Sequence, residues 1–146
     1  MSQEPLLPAR FERAAQLETI VRGFEACTIA PAEFSHRAHL AVALWYVAHL
    51  PDAEAAARMR AGLHRFIAHH HAGDKYHETI TLFWLKLVRH FLERAGAGQT
   101  LPAVANDLLA RCGDAQLLYA HYSRALIQTP AAKSGWVEPD LRPLAF

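Results

Sequence analysis

The segment from Ile80 to Leu92 places apolar side chains almost all the way round a helix. A surface helix has one polar face, whereas a helix that is apolar on every side needs neighbours on every side. This segment therefore predicts a bundle with the helix at its centre. Its apolar residues are Ile80, Leu82, Phe83, Trp84, Leu85, Leu87, Val88, Phe91 and Leu92.

Five further segments combine helical spacing of apolar residues with signals for helix starts and ends. The predicted helices run over about 9–27, from the cap Ser35 to Leu50, over about 52–71, from after Gly73 to about Ala95, between Pro102 and Gly113, and from the cap Asp114 to about Gln128. We predict an all-α fold: one domain over residues 1–146, formed by an antiparallel bundle of about five or six helices. Its core lies in about residues 9–128, and an extended tail follows over 129–146.

The tail carries apolar side chains despite its prolines. We expect these residues to pack along the bundle, with docking on a partner as the alternative. They are Trp136, Val137, Leu141, Leu144 and Phe146.

Composition limits the partners of the chain. The 15 basic and 14 acidic residues nearly cancel, which argues against nucleic acid as a ligand. The longest apolar run, Leu40 to Ala48, is about half of what a membrane span needs, so we expect no membrane segment.

The N-terminus does not have the pattern of a signal peptide, which predicts a cytoplasmic protein. The two cysteines are too few for a disulfide scaffold, and the oligomeric state stays open.

Six of the ten histidines are predicted to meet at one end of the bundle. Short connections make neighbouring helices antiparallel, so the starts of the second and fourth helices lie beside the end of the third. His36 and His39 continue the apolar stripe of the second helix, and His77 continues that of the fourth. The remaining three histidines are His69, His70 and His71, of which His70 best faces inward.

Three neutral imidazoles from two helices form a ligand set for a divalent transition metal such as Zn, Fe, Cu or Ni. We therefore predict a metal site at His36, His39 and His77. Glu78 is expected to act as general base or to orient a ligand, with direct metal ligation as an alternative and a helix cap as the simpler interpretation. Tyr76 is expected to orient a substrate, and His121 and Tyr122 are candidates for the pocket wall. The H-x-x-H spacing by itself is weak evidence, because it is common on exposed helices.

The function predicted from this cluster is a metal-dependent enzyme, a hydrolase or oxygenase, that acts on a small molecule. The alternative is a helical bundle that binds a metal or a small ligand, or docks a partner, without catalysis. A third possibility is acid–base chemistry by His77 and Glu78 without a metal. In the simplest case the histidines are hydrogen-bonded core residues of an ordinary bundle.

The stretches FSHRAHL, YHETITLFWL and WVEPDLRPL together resemble a family of small bacterial all-helical proteins. The resemblance covers about Phe24 to Leu144. It implies that the two histidine stretches and the tail motif belong to one unit, and it brings no activity with it.

Overall fold

The computed structural model describes residues 6–146. Residues 1–5 lie outside the described residues. The single-domain prediction and the expectation that the N-terminus is not a signal peptide both include them. The described chain has seven α-helices, one 3-10 helix and no strand, so the all-α prediction is confirmed. The helices are α1 (Ala14–Glu25), α2 (His36–His49), α3 (Asp52–His69), α4 (Glu78–Glu93), α5 (Leu101–Cys112), the 3-10 helix (Ala115–Ala120), α6 (Arg124–Ile127) and α7 (Pro130–Ser134).

The helix at the centre of the bundle is α2. It packs against α1, α3, α4 and α5, and eight of its residues are buried. We expected α4 in that position, and this was wrong: α4 contacts α2, α3, α5 and the short α7. The difference has a simple cause, because α4 carries the exposed Lys86 on its outer side, whereas Leu40 to Ala48 contains no charged residue.

α2 starts after the predicted cap Ser35, and α5 starts beside Pro102 as predicted. The Ser35 hydroxyl accepts a hydrogen bond from the Ala38 amide at 3.3 Å, and Thr100 caps the helix that begins just before Pro102. The third helix ends two residues earlier than predicted. His71 adopts a φ of 52°, a left-handed conformation that cannot continue an α-helix.

The predicted sixth helix is divided. Asp114 caps the 3-10 helix, but Ser123 then adopts an extended conformation and caps the separate α6 through its hydroxyl. The tail is not extended from residue 129, because Thr129 caps another short helix, α7, with Pro130 in its first turn. A Thr-Pro pair is a start signal that the sequence contains.

The segment after α7 has no regular secondary structure but remains attached to the bundle. Trp136, Val137, Leu144 and Phe146 pack partly buried against the core, whereas Leu141 is 59% exposed. The buried Tyr122 hydroxyl donates a 2.7 Å hydrogen bond to the Val137 carbonyl.

Among residues 6–146, no helix has the length and apolar character needed to cross a membrane. Cys27 and Cys112 are buried and unbonded to each other. Burial raises the pKa of the Cys112 thiol, which makes it unreactive.

Candidate functional site

A cavity of about 510 Å³ lies at the end of the bundle where the histidines were predicted to meet. His36 and His39 from the start of α2, Phe66 from the end of α3 and Ile80 from the start of α4 all line it. The 3-10 helix closes the fourth side through Leu118 and neighbouring residues. The starts of α2 and α4 therefore adjoin the end of α3, as expected for antiparallel neighbours.

The deeper walls of this cavity are apolar, and its mouth includes the polar side chains of Lys75 and Gln116. Its buried lining residues include Leu40, Met59, Leu63, Phe66, Trp84 and Leu118. Its exposed lining residues are Pro31, Lys75, Ala115 and Gln116, which come from two loops and the start of the 3-10 helix and mark the opening to solvent. A concave apolar cavity of this size with a few polar groups is typical of small-molecule sites.

His39 presents a neutral imidazole to the cavity. Its ring stacks on Phe34, with ring centroids 4.1 Å apart, and no hydrogen-bond partner among the described residues reaches it. Burial, with a smaller contribution from the neighbouring His36, lowers the pKa of His39 to about 4. The ring is therefore uncharged at neutral pH and has two nitrogen atoms available to a ligand.

His36 is also neutral and lies against the indole of Trp84, with ring centroids 4.3 Å apart. Burial lowers its pKa, although the Cys112 carbonyl and Asp114 act in the opposite direction. Its Nε2 lies 3.3 Å from the Cys112 carbonyl oxygen. A carbonyl oxygen only accepts, so Nε2 carries the proton and Nδ1 keeps a lone pair.

His77 lines the same cavity but uses both ring nitrogens in the fold. Nδ1 accepts a hydrogen bond from the Ile80 amide at 3.2 Å and so caps α4. Nε2 donates to the Ile127 carbonyl at 2.7 Å. In this arrangement neither nitrogen offers a lone pair, so a metal would have to displace one of the two hydrogen bonds.

Glu78 is held in an ion pair with Arg60. The Arg60 guanidinium donates from Nε at 3.0 Å and from Nη2 at 2.7 Å to the two carboxylate oxygens. The Tyr76 hydroxyl donates a third hydrogen bond to the same carboxylate. The Arg60 hydrogen bonds are the main cause of a lowered Glu78 pKa, opposed by burial. A carboxylate with these partners is a weak proton acceptor.

Tyr76 connects this ion pair to the cavity, because its side chain lines the wall while its hydroxyl is bound to Glu78. Burial raises the pKa of Tyr76 to about 12. The phenol is therefore protonated at neutral pH and donates its hydrogen bond to Glu78.

Three other predicted residues lie outside this cavity. His70 packs on Phe66, with ring centroids 4.4 Å apart, and its Nε2 is buried without a partner among the described residues. The Nδ1–H group of His121 donates to the Arg142 carbonyl at 3.1 Å, and Tyr122 binds Val137. The last two therefore hold the C-terminal segment and do not contribute to the pocket wall.

Several residues of the site were not predicted. Phe34, Arg60 and Lys75 have no sequence pattern that marks them. Gln116 and Tyr119 line the cavity from the 3-10 helix, where the sequence predicts part of a longer helix.

Within residues 6–146, no three His, Cys, Asp or Glu side chains lie close enough together to hold a metal ion. The three-histidine metal site stays a prediction that requires His77 to move. No family model, curated protein or solved structure matches the chain. The resemblance to small bacterial helical proteins likewise stays a prediction.

Proposed function

We propose that the protein binds a small, largely apolar molecule in the cavity between α2, α3, α4 and the 3-10 helix. The observation that carries this proposal is a cavity of about 510 Å³ whose apolar walls meet the two neutral imidazoles of His36 and His39. Burial of apolar ligand surface supplies the affinity, and the imidazoles supply directional hydrogen bonds.

The two histidines differ in what they offer to the ligand. His36 presents an acceptor, Nδ1, because Nε2–H is bound to the Cys112 carbonyl. His39 has no partner among the described residues and presents one donor and one acceptor. A carbonyl or hydroxyl group of a ligand matches this pair.

A fluorescent neutral probe, N-phenyl-1-naphthylamine, tests the cavity directly. We expect saturable binding of one probe per chain, with emission rising as the probe leaves water. Ala43→Leu fills space in the cavity wall and should weaken binding by at least about tenfold. Ala48→Leu makes the same change on the exposed side of the same helix and should leave binding unchanged. Thermal denaturation establishes that both variants are folded.

Equal affinity in the two leucine variants would contradict the proposal, because the probe would then bind outside the cavity. Binding that does not saturate would contradict it as well.

A metal-dependent enzyme is our alternative proposal. The observation in its favour is that His36 and His39 both line the cavity and are neutral, as imidazole ligands must be. The third ligand would be His77 after release from Ile127.

Elemental analysis of tag-free protein separates the two proposals. The metal proposal expects near-stoichiometric Zn, Fe, Cu or Ni in the parent and none in His36→Ala/His39→Ala. The exposed pair, His69→Ala/His71→Ala, is the matched control and should retain the metal. No metal after reconstitution with all four ions would eliminate the alternative, and equal retention in both variants would place the metal elsewhere.

A further inference from the structure

The residues that line the cavity include one with a permanent charge, Lys75, and no acid. The carboxylates of Glu78 and Asp114 lie near the lining residues Tyr76 and His36 without lining the cavity themselves. The lining histidines His36 and His39 have lowered pKa values and add no positive charge at neutral pH. A ligand in this cavity therefore meets apolar walls, neutral polar groups and one cation at the mouth.

Lys75 is positioned by a second lysine. The Lys133 ammonium group donates hydrogen bonds of 2.7 Å to the carbonyls of Asp74 and Tyr76, the residues on either side of Lys75. The backbone that carries Lys75 is thus anchored to α7 on both sides. The exposed Lys75 side chain is therefore attached to a fixed point of the cavity lining.

The acidic residue nearest in sequence does not neutralise Lys75. The Asp74 carboxylate lies 3.8 Å from Lys133, and no ion pair of Lys75 occurs among the described residues. A cationic residue at the mouth of an apolar cavity that no carboxylate lines favours a ligand of opposite charge.

Aromatic side chains form part of the cavity wall. Phe34 stacks on His39 at an interplanar angle of 22°, and Trp84 lies against His36. Rings in offset or edge-on contact favour a planar apolar guest over a branched one.

We infer that the cavity takes a flat apolar molecule bearing one carboxylate, with the carboxylate at the Lys75 ammonium group and the apolar body among the aromatic walls. This inference rests on the proposed function and names the class of its ligand. The ring system replaces water in the cavity, while the carboxylate remains near solvent and avoids most of the cost of burying a charge.

Three probes that share one ring system test the inference by isothermal titration calorimetry at pH 7.5. They are 2-naphthoate, 2-naphthamide and 2-naphthylmethylammonium, with charges of −1, 0 and +1. We expect affinity to fall in that order. Lys75→Gln should weaken naphthoate binding by about threefold to fivefold, the upper part of the range for an exposed ion pair, and leave naphthamide unchanged. Lys75→Glu should reverse the order of the charged probes.

Lys86→Gln is the matched control, since it removes the same charge from an exposed lysine of α4 that does not line this cavity. An equal loss of naphthoate affinity in both glutamine variants would overturn the inference, because net charge alone would explain it. Equal affinities of the three probes for the parent would overturn the inference and leave the cavity proposal standing. Absence of binding by all three probes and by the neutral naphthylamine would overturn both.

Discussion

The Nε2–H group of His77 donates a hydrogen bond to the backbone carbonyl of Ile127 across 2.7 Å. This contact joins the start of α4 to the end of α6, and the same ring caps α4 through Nδ1. His77 is thus a structural link between the cavity wall and the C-terminal part of the chain.

Replacement of His77 tests this structural role. His77→Ala removes a helix cap and a buried hydrogen bond, so we expect the free energy of unfolding to fall by about 2 kcal/mol. His77→Asn supplies a capping oxygen but is too short to replace the imidazole, and it should recover about half of that loss. Urea denaturation measures both values. His69→Ala, at an exposed position, should change stability by less than about 0.5 kcal/mol. An equal effect at both positions would contradict the link.

The Arg60–Glu78 ion pair predicts that the stability of the fold decreases at acidic pH. The lowered pKa of Glu78 means that the folded state favours the carboxylate. The Glu78 carboxylate contributes fully to the free energy of unfolding above the ordinary pKa of 4.5. This contribution is lost as the pH falls through the lowered pKa of the folded state. Glu78→Gln should therefore reduce stability at pH 7, by up to about 1 kcal/mol, and have little effect near pH 2.

Glu54→Gln is the control for this substitution, because Glu54 is an exposed acid in the first turn of α3. It reports the general benefit of negative charge at a helix start without a bidentate arginine partner. Chemical denaturation of both variants at each pH gives the comparison. A Glu78 effect that does not change with pH would show that the carboxylate charge is unimportant.

Burial of His39 predicts a second pH dependence at higher pH. The ordinary pKa of 6.5 falls to about 4 in the folded protein, so the unfolded chain takes up a proton first. The free energy of unfolding should thus decrease as the pH falls from 6.5 to about 4, by up to about 3 kcal/mol in total. His39→Gln removes this titration and should flatten the curve over that interval.

NMR titration of the His39 ring gives the direct measurement, with His39→Gln used to assign its resonance. A midpoint near the ordinary value would show that the ring is open to water, and would remove the argument for a neutral donor and acceptor in the cavity.

The Thr79 side chain binds the C-terminal segment through two hydrogen bonds, and its replacement tests how much they stabilise that segment. Its fully buried hydroxyl donates a 2.7 Å hydrogen bond to the Gly135 carbonyl and accepts one from the Val137 amide at 3.3 Å. Thr79→Val leaves both backbone groups without their partner, so we expect a loss of about 1 to 2 kcal/mol and faster amide exchange at Val137. Thr19→Val, on the exposed face of α1, should leave both measurements unchanged. Unchanged exchange at Val137 in Thr79→Val would show that other contacts hold the segment.

The sequence by itself determined the all-α class and the positions of the longer helices. Local signals were sufficient for α2, where Ser35 caps the helix and an apolar run follows, and for α5, which has Pro102 in its first turn and ends before Gly113. These signals act within one or two helical turns, so they are visible in the sequence. The expectation that His36, His39 and His77 approach one end also holds, because all three line one cavity.

Only the tertiary structure decided what each side chain does there. Ile127 lies fifty residues from His77 in sequence, and Arg60 is eighteen from Glu78. No local periodicity encodes these pairs, since they exist only after separate helices have packed together. The backbone carbonyl of Ile127 accepts the hydrogen bond that His77 Nε2–H can donate, and the Arg60 guanidinium donates to both carboxylate oxygens of Glu78. Hydrogen-bonding capacity is limited to a few lone pairs and protons per side chain, so partners contributed by distant segments determine which groups remain for a ligand.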